Sequence, residues 1–257
     1  MRYWNSGTLA AIVALGVAGS AAAQSQAPVV KPATAADYTA LAALPDWSGV
    51  WQPDWSALFS GRGGRNAETP AFTPATKKIV DEFVARQKQG ENLQTEMANC
   101  VPAGMPQIMR MPYPIEFLFT PSRVTILIET EMQIRRIYTD GRPLPADPDP
   151  TFNGSSVGHW EGDTLVVDTI GLNPKTSIVP GVHPTENTKI RETIRLEKPD
   201  LMVITTTITD PALFSSPFVQ VTPYARHRDW QIREYVCQEN NRDAADEFGR
   251  PSMSIEQ

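Results

Sequence analysis

Alternation of apolar and polar residues dominates the chain from residue 115 onward. Nine successive segments repeat it with a period of two, which is the side-chain period of a β-strand. Short connectors such as TPSR, EGD and EKPD separate many of them and have the composition of turns. The segments are IEFLFT, RVTILIET, EMQIRRIYT, SSVGHWE, TLVVDTI, TKIRETIRLE, LMVITTTIT, PFVQVTPYARHR and QIREYVCQE. The pattern predicts a mostly β fold, an antiparallel meander that forms a sandwich, a curled sheet or a closed barrel.

One helix, near residues 74–89, is predicted ahead of this meander. Thr73 supplies a capping hydroxyl, Pro74 suits the first helical turn, and Gly90 is expected at the exit. Four apolar residues recur at helical spacing and are expected to form the buried face of the helix. They are Ile79, Val80, Phe83 and Val84.

The first residues of the chain have the order of a secretory signal peptide. Arg2 precedes a mostly small and apolar run over residues 9–18, and three alanines end at Ala23. We expect cleavage after Ala23, followed by a linker (24–45), a single β-rich domain (46–243) and a flexible tail (244–257). The run is too short to anchor the chain in a bilayer, and no later segment predicts a membrane span. The expected location is periplasmic or secreted.

The charge balance limits the classes of partner. The formal net charge is −6, and no run of lysines and arginines is present. This composition argues against a nucleic acid or an anionic membrane surface as partner. A small molecule is therefore the partner that we expect.

The chain has two cysteines, Cys100 and Cys237. In an oxidising compartment, two cysteines predict one disulfide, which here would close a loop of more than 130 residues. The alternative is two separate buried thiols, and spacing alone does not decide between them.

A short motif resembles the opening strand of the lipocalin-like (calycin) barrels. Residues 46–51 read DWSGVW, which is similar to the G-x-W motif of that group. The resemblance implies that Trp51 closes one end of a barrel and that a basic residue near the last strands packs over it. Candidates for that residue are Arg226, Arg228 and Arg233. The position of the predicted helix, between the first strand and the others, departs from the lipocalin order.

Longer segments resemble a family of exported bacterial proteins of uncharacterised function. The similar segments are RRIYTDGRPLP, VGHWEGDTLVVDT and EYVCQENNRD. This resemblance implies export and a single β-rich domain, and it assigns no catalytic residues.

A carboxylate interrupts the apolar face of one predicted strand. In TKIRETIRLE, Glu192 alternates with Ile190 and Ile194. An unpaired buried carboxylate costs several kcal/mol or becomes protonated, so Glu192 requires a cation, a hydrogen-bond network or a water-filled lumen. In EMQIRRIYT, Arg136 shares a face with Tyr138 and is the expected partner of Glu192. Three alternatives stay open. The pair could be a structural ion pair that fixes strand register, it could be part of a ligand or catalytic site, or the inner face of one strand could be assigned wrongly.

Other chemistries have weaker support. Residues 154–158 (GSSVG) match G-x-S-x-G, but a nucleophilic Ser156 would need a strand before it and a helix after it. The three histidines lack the spacing of a metal site, and the loop 61–70 lacks that of a phosphate-binding loop. We therefore expect no metal and no cofactor, and a serine esterase using Ser156 stays an alternative.

These observations lead to an expected function. An exported barrel would bind a small apolar or aromatic molecule, with or without a cofactor-free isomerisation, elimination or hydration. In such a reaction Glu192 or His183, which lies in a long loop, would move the proton, and Arg136 with Tyr138 would stabilise an oxyanion. Non-catalytic binding and an envelope interaction are the alternatives. The expected ligand contacts are Tyr113, Glu116, Trp160 and Asp168.

Overall fold

The computed structural model describes residues 32–54, 69–91, 93 and 100–237. The expected signal peptide and C-terminal tail lie outside these residues. Two α-helices are present in the described part, α1 (Ala35–Ala40) and α2 (Pro74–Lys88). Shorter 3₁₀ helices span Leu41–Ala43, Gln107–Arg110 and Thr130–Met132. Helix α1 lies inside the segment that was expected to be an irregular linker.

Nine strands form a closed barrel, which confirms the mostly β, lipocalin-like prediction. Each strand pairs with the next one in the chain, and β9 pairs with β1. The strands are β1 (Val50–Pro53), β2 (Ile115–Thr120), β3 (Arg123–Ile128), β4 (Gln133–Tyr138), β5 (Ser155–Glu161), β6 (Thr164–Ile170), β7 (Lys189–Lys198), β8 (Leu201–Thr209) and β9 (Phe218–His227).

The β4–β5 pair departs from the expected antiparallel meander. These two strands run parallel, with Ile137 opposite Ser156 and Tyr138 opposite Val157. Parallel neighbours need a connection that returns the chain to the starting end, and the Pro-rich segment 139–154 is long enough to do so. Asp140 and Gly141 therefore form a turn at the exit of β4 and do not close a hairpin.

The last predicted strand does not form in the part of it that the structure describes. Residues 231–236 have no regular secondary structure, although QIREYVCQE alternates like a strand. The barrel is already closed by β1, which takes the free edge of β9. A disulfide joins Cys237 to Cys100 with a Cα–Cα distance of 5.7 Å, as expected from the two cysteines. It ties the segment ahead of β2 to the segment after β9.

Trp51 occupies one end of the barrel, as the G-x-W motif implies. Its side chain is buried, and its Nε1–H donates to the Trp47 carbonyl at 3.0 Å. The guanidinium of Arg226 lies over the indole at 4.5 Å from the ring centroid. Arg226 also donates to the Asp46 carboxylate at 3.0 Å. Of the three candidate arginines, Arg226 is the one that packs over Trp51.

The opposite end of the barrel is covered by residues 101–111, here called the plug segment. Three of its side chains are buried in the core: Met105, Ile108 and Met109. The Met105 amide donates to the Phe152 carbonyl at 2.8 Å, and the Tyr224 hydroxyl donates to the Met109 carbonyl. The plug segment is thus bonded to β9 and to the residues that precede β5.

Helix α2 forms where the sequence predicts it but does not bury the predicted face. The Thr73 hydroxyl accepts from the Thr76 amide at 3.3 Å, which confirms the N-cap. Ile79 and Val84 are 50% and 40% exposed, so the expected buried stripe is wrong. Thr76 is the buried residue of α2, and its hydroxyl donates to the Ala212 carbonyl at 3.4 Å.

Candidate functional site

Glu192 points into the barrel, as its alternation with Ile190 and Ile194 predicts. Its side chain is 0% exposed. The partner is Arg135, whose Nη1 donates to Oε1 at 3.1 Å and whose Nη2 donates to Oε2. The Arg135 side chain is 1% exposed, so both charges are removed from solvent together. Two parallel N–H···O contacts are the strong geometry for an arginine and a carboxylate.

Two hydroxyl groups complete the surroundings of Arg135. Its Nη2 also lies 3.1 Å from the Thr169 Oγ1 and 3.4 Å from the Ser156 Oγ. The two hydroxyls are hydrogen-bonded to each other at 2.8 Å. β5 and β6 place Ser156 directly opposite Thr169 and both side chains are buried. The result is a buried polar cluster of Arg135, Glu192, Ser156 and Thr169.

The cluster continues as a polar layer across the neighbouring strands. Glu192 is opposite Thr206 on β8, and Thr206 is opposite Gln220 on β9. All three are buried. Tyr224, four residues after Gln220 on the same inner face of β9, is buried as well. Burial together with the negative charge of Glu192 raises the pKa of its hydroxyl. The neutral phenol is thereby kept as the donor to the Met109 carbonyl.

The expected pairing of Glu192 with Arg136 is wrong by one residue. Arg136 lies on the outer face of β4 and is exposed. Tyr138 is on the outer face too, and the Arg142 guanidinium lies over its ring at 3.9 Å. Residues Glu131 and Met132 have positive φ angles of 54° and 50° in the turn before β4. Strand alternation therefore begins at Gln133, which turns Arg135 inward and Arg136 outward.

The four expected ligand contacts do not come together. Asp168 lies on the outer face of β6 and binds Arg191 with two hydrogen bonds of 2.8 Å. Glu116 is on the outer face of β2, and Tyr113 packs against Tyr235 with ring centroids 5.3 Å apart. Trp160 faces inward and contacts Trp47 with a centroid distance of 5.1 Å. Their roles in ligand binding stay predictions.

His183 lies at the surface, whereas Glu192 is buried inside the barrel. His183 is exposed in the 171–188 loop, and its Nδ1–H donates to the Thr176 carbonyl at 2.8 Å. Glu192 does not line the cavity that His183 lines. The two expected proton carriers therefore do not share one site.

His183 lies in the wall of a mostly apolar recess that has charged groups at its rim. The volume of the recess is about 480 Å³. Helix α2, the plug segment and the 171–188 loop enclose it at the end of the barrel. Most of the wall is apolar and includes Ile79, Phe83, Val101, Ala103, Met111 and Val179. Here this recess is called the mouth cavity.

Close backbone contacts fix the walls of the mouth cavity. Gly104 has a φ of +63°, and a side chain there would overlap Thr176 and the Phe152 carbonyl. At Gly181 an added Cβ would lie 2.8 Å from the Phe83 ring. Only glycine permits these approaches, so the loop contacts the plug segment on one side and α2 on the other. The exposed side chain of Ile79 thus faces a recess that the fold itself builds.

Ser156 has no features of a hydrolase nucleophile. It sits inside an antiparallel strand pair, and its hydroxyl is shared with Thr169 and Arg135. A nucleophile elbow would place the serine on a sharp turn before a helix. Within the described residues no group of three or more His, Cys, Asp or Glu side chains could hold a metal ion.

Sequence reasoning did not find Arg135 or the mouth cavity. Arg135 and Arg136 are adjacent, so the pattern of EMQIRRIYT fits either phase equally well. The mouth cavity comes from three segments that are distant in the chain. The apolar stripe of α2 was the available signal in the sequence, because such a stripe needs either a surface that covers it or a cavity that it lines.

A comparison with protein-family models finds no family that matches the chain, and a comparison with curated proteins finds no match. No helix in the described ranges is long and apolar enough to cross a membrane. The fold and the geometry of the site are therefore the basis for the function.

Proposed function

We propose that this chain is an exported β-barrel protein that binds a small, largely apolar molecule in the mouth cavity without transforming it. The observation that carries the proposal is an apolar recess of about 480 Å³ with walls fixed by the fold. Ligand sites in proteins have volumes of roughly 300–1,000 Å³ and mostly apolar walls with a few polar groups. The mouth cavity has both properties.

The barrel interior is filled by side chains, so we place the ligand in the mouth cavity and not inside the barrel. Large side chains fill the interior, including Trp47, Trp51, Arg135, Tyr224 and Met105, each almost completely buried. Both carboxylate oxygens of Glu192 accept from Arg135. A general base must reach the proton that it removes. Glu192 is therefore better explained as a structural partner than as a proton carrier, and no observation favours the expected acid–base reaction.

Export is supported by two independent features. Arg2, the apolar run over residues 9–18 and the alanines before Gln24 have the order of a signal peptide. The Cys100–Cys237 disulfide suits an oxidising compartment. N-terminal sequencing of protein from the periplasmic fraction of an expressing Gram-negative cell should begin at Gln24. An uncleaved Met1 in cytoplasmic protein would contradict export.

Binding is tested with N-phenylnaphthylamine, a neutral aromatic molecule that fluoresces in apolar surroundings. We expect saturable binding to the native protein. Ile79→Asp places a charge in the wall and should weaken binding by about tenfold, equivalent to about 1.4 kcal/mol. Val84→Asp is the matched control, because Val84 is on the same helix with a similar exposure but outside the cavity wall. Equal affinities for the two variants, or no saturable binding, would refute the proposal.

A further inference from the structure

The charges around the mouth cavity are not distributed evenly. Four charged or titratable residues contribute to its wall: Glu82, Arg86, Lys175 and His183. The Arg86 guanidinium is bonded to the Glu91 carboxylate, with Nε 2.7 Å from Oε2. Glu82 lies 3.9 Å from the ammonium group of Lys78. Each of these two charges therefore has a neighbouring charge of opposite sign on the protein.

Lys175 differs from the other charged residues of the wall. Within the described ranges, no carboxylate lies within salt-bridge distance of its ammonium group. Its side chain is exposed at the rim of a mostly apolar recess. A lysine in such a position attracts an anionic group of a molecule whose apolar part lies in the recess.

The backbone around Lys175 is held in place. The Lys175 amide donates to the Asn173 side chain at 2.9 Å, and the Thr176 amide donates to the Asn173 carbonyl at 2.9 Å. The backbone amide of Asn173 donates to the Thr151 carbonyl at 2.9 Å. Thr176 is 1% exposed and lies against Gly104 of the plug segment. The Cα of Lys175 thus has a defined position relative to the apolar wall, which lowers the entropy lost on binding.

We infer that the ligand of the mouth cavity is an anionic amphiphile, with its apolar part against α2 and the plug segment and its carboxylate, or an equivalent anion, on Lys175. This inference rests on the proposed binding function and specifies the class of ligand. His183 uses Nδ1 to bond Thr176, so its other ring nitrogen remains available to the polar end of the ligand. Glu82, on the α2 side of the wall, is unfavourable to a negative charge at the apolar end of the ligand, so the anionic group is expected at Lys175.

The test compares three molecules with the same ten-carbon chain: decanoate and decyltrimethylammonium, each below its micellar concentration, and decanol below its solubility limit. Isothermal titration calorimetry on the full-length protein measures each affinity. We expect decanoate to bind at least about tenfold more tightly than decanol, and decyltrimethylammonium to bind most weakly. Lys175→Gln should remove the preference for decanoate over decanol, and Lys175→Arg should retain it.

Lys77→Gln is the matched control, because Lys77 is an exposed lysine of α2 that does not line the cavity, and its ion-pair partner Asp81 does not line it either. It should leave the preference for decanoate unchanged. The inference is overturned if decanol binds as tightly as decanoate, or if Lys175→Gln keeps the preference. In either case saturable binding of decanol or of the neutral dye would leave the proposed function standing. If the neutral dye and all three molecules fail to bind, the proposed function and this inference both fall.

Discussion

Arg135 and Glu192 form a two-point ion pair inside the barrel, with both side chains almost fully removed from solvent. The desolvation of two such charges is offset only when their hydrogen bonds are well formed. Ser156 and Thr169 add hydroxyl contacts to Arg135, which supplies part of that compensation. The pair connects β4 with β7, two strands that are not neighbours, across the interior.

Removing one partner of this pair should destabilise the fold strongly. Glu192→Gln leaves Arg135 buried without a counter-charge, so we expect a loss of about 3–5 kcal/mol in the free energy of unfolding. The double variant Arg135→Met, Glu192→Leu should recover much of the loss, because no buried charge remains. Urea denaturation followed by circular dichroism measures both. A Glu192→Gln protein as stable as the native one would show that the pair contributes little, and would reopen a functional role for Glu192.

Trp51 should be among the most costly core residues to truncate. Its indole is fully buried and carries the Arg226 guanidinium on its face. Trp51→Ala should lower the free energy of unfolding by about 3–5 kcal/mol. Trp230 is 40% exposed, and Trp230→Ala serves as the control with an expected loss below about 1 kcal/mol. A similar small loss for Trp51→Ala in urea titrations would contradict its role in closing the barrel.

The disulfide should be complete in exported protein. Mass spectrometry of the non-reduced chain should show the loss of two protons and no alkylation of Cys100 or Cys237. Replacing both cysteines by serine should reduce the free energy of unfolding by about 2–5 kcal/mol, because the bridge closes a long loop in the unfolded chain. Two alkylatable cysteines in native, periplasm-purified protein would exclude the bridge.

Asp46 should make stability depend on pH in the acid range. Hydrogen bonds from the Ser48 side chain and backbone, with a smaller contribution from Arg226, lower the pKa of Asp46 from its ordinary value of 3.8 to about 2. A carboxyl whose pKa is lowered by folding stabilises the folded state above its unfolded pKa and loses that effect as the pH falls through the folded pKa. The stability advantage of native protein over Asp46→Asn should therefore be constant near neutrality and disappear between about pH 4 and pH 2.

Urea denaturation of the native and Asp46→Asn proteins at several pH values measures that advantage. Asp163→Asn, at an exposed turn between β5 and β6, controls for the loss of one surface carboxylate. An advantage that persists unchanged at pH 2 would refute the assignment.

The sequence predicted the architecture well where one strand face was unambiguous. β7 alternates so regularly that Glu192 had to point inward with Ile190 and Ile194. β4 was assigned the wrong face because its phase depends on the turn at Glu131 and Met132, which no periodicity reveals. A one-residue shift in a strand exchanges its two faces, so Arg135 and Arg136 exchanged roles.

Other differences have tertiary causes that a linear pattern does not contain. QIREYVCQE has strand-like alternation, but no sheet edge remains for it once β1 has paired with β9. The apolar residues of α2 were expected to be buried, yet the helix is separated from the plug segment by the mouth cavity. Both outcomes depend on which surfaces the other segments have already occupied.

β1 has a special place in this topology. The strands β2 to β9 follow one another along a continuous stretch, and β1 alone comes from a distant part of the chain. It is four residues long and pairs with β2 on one side and β9 on the other. Without β1 the remaining eight strands would be an open sheet with two unpaired edges, the arrangement through which β-proteins associate into oligomers and fibrils. The pairing of β1 thus covers both edges, and the contact of Trp51 with Arg226 helps to hold β1 in that position.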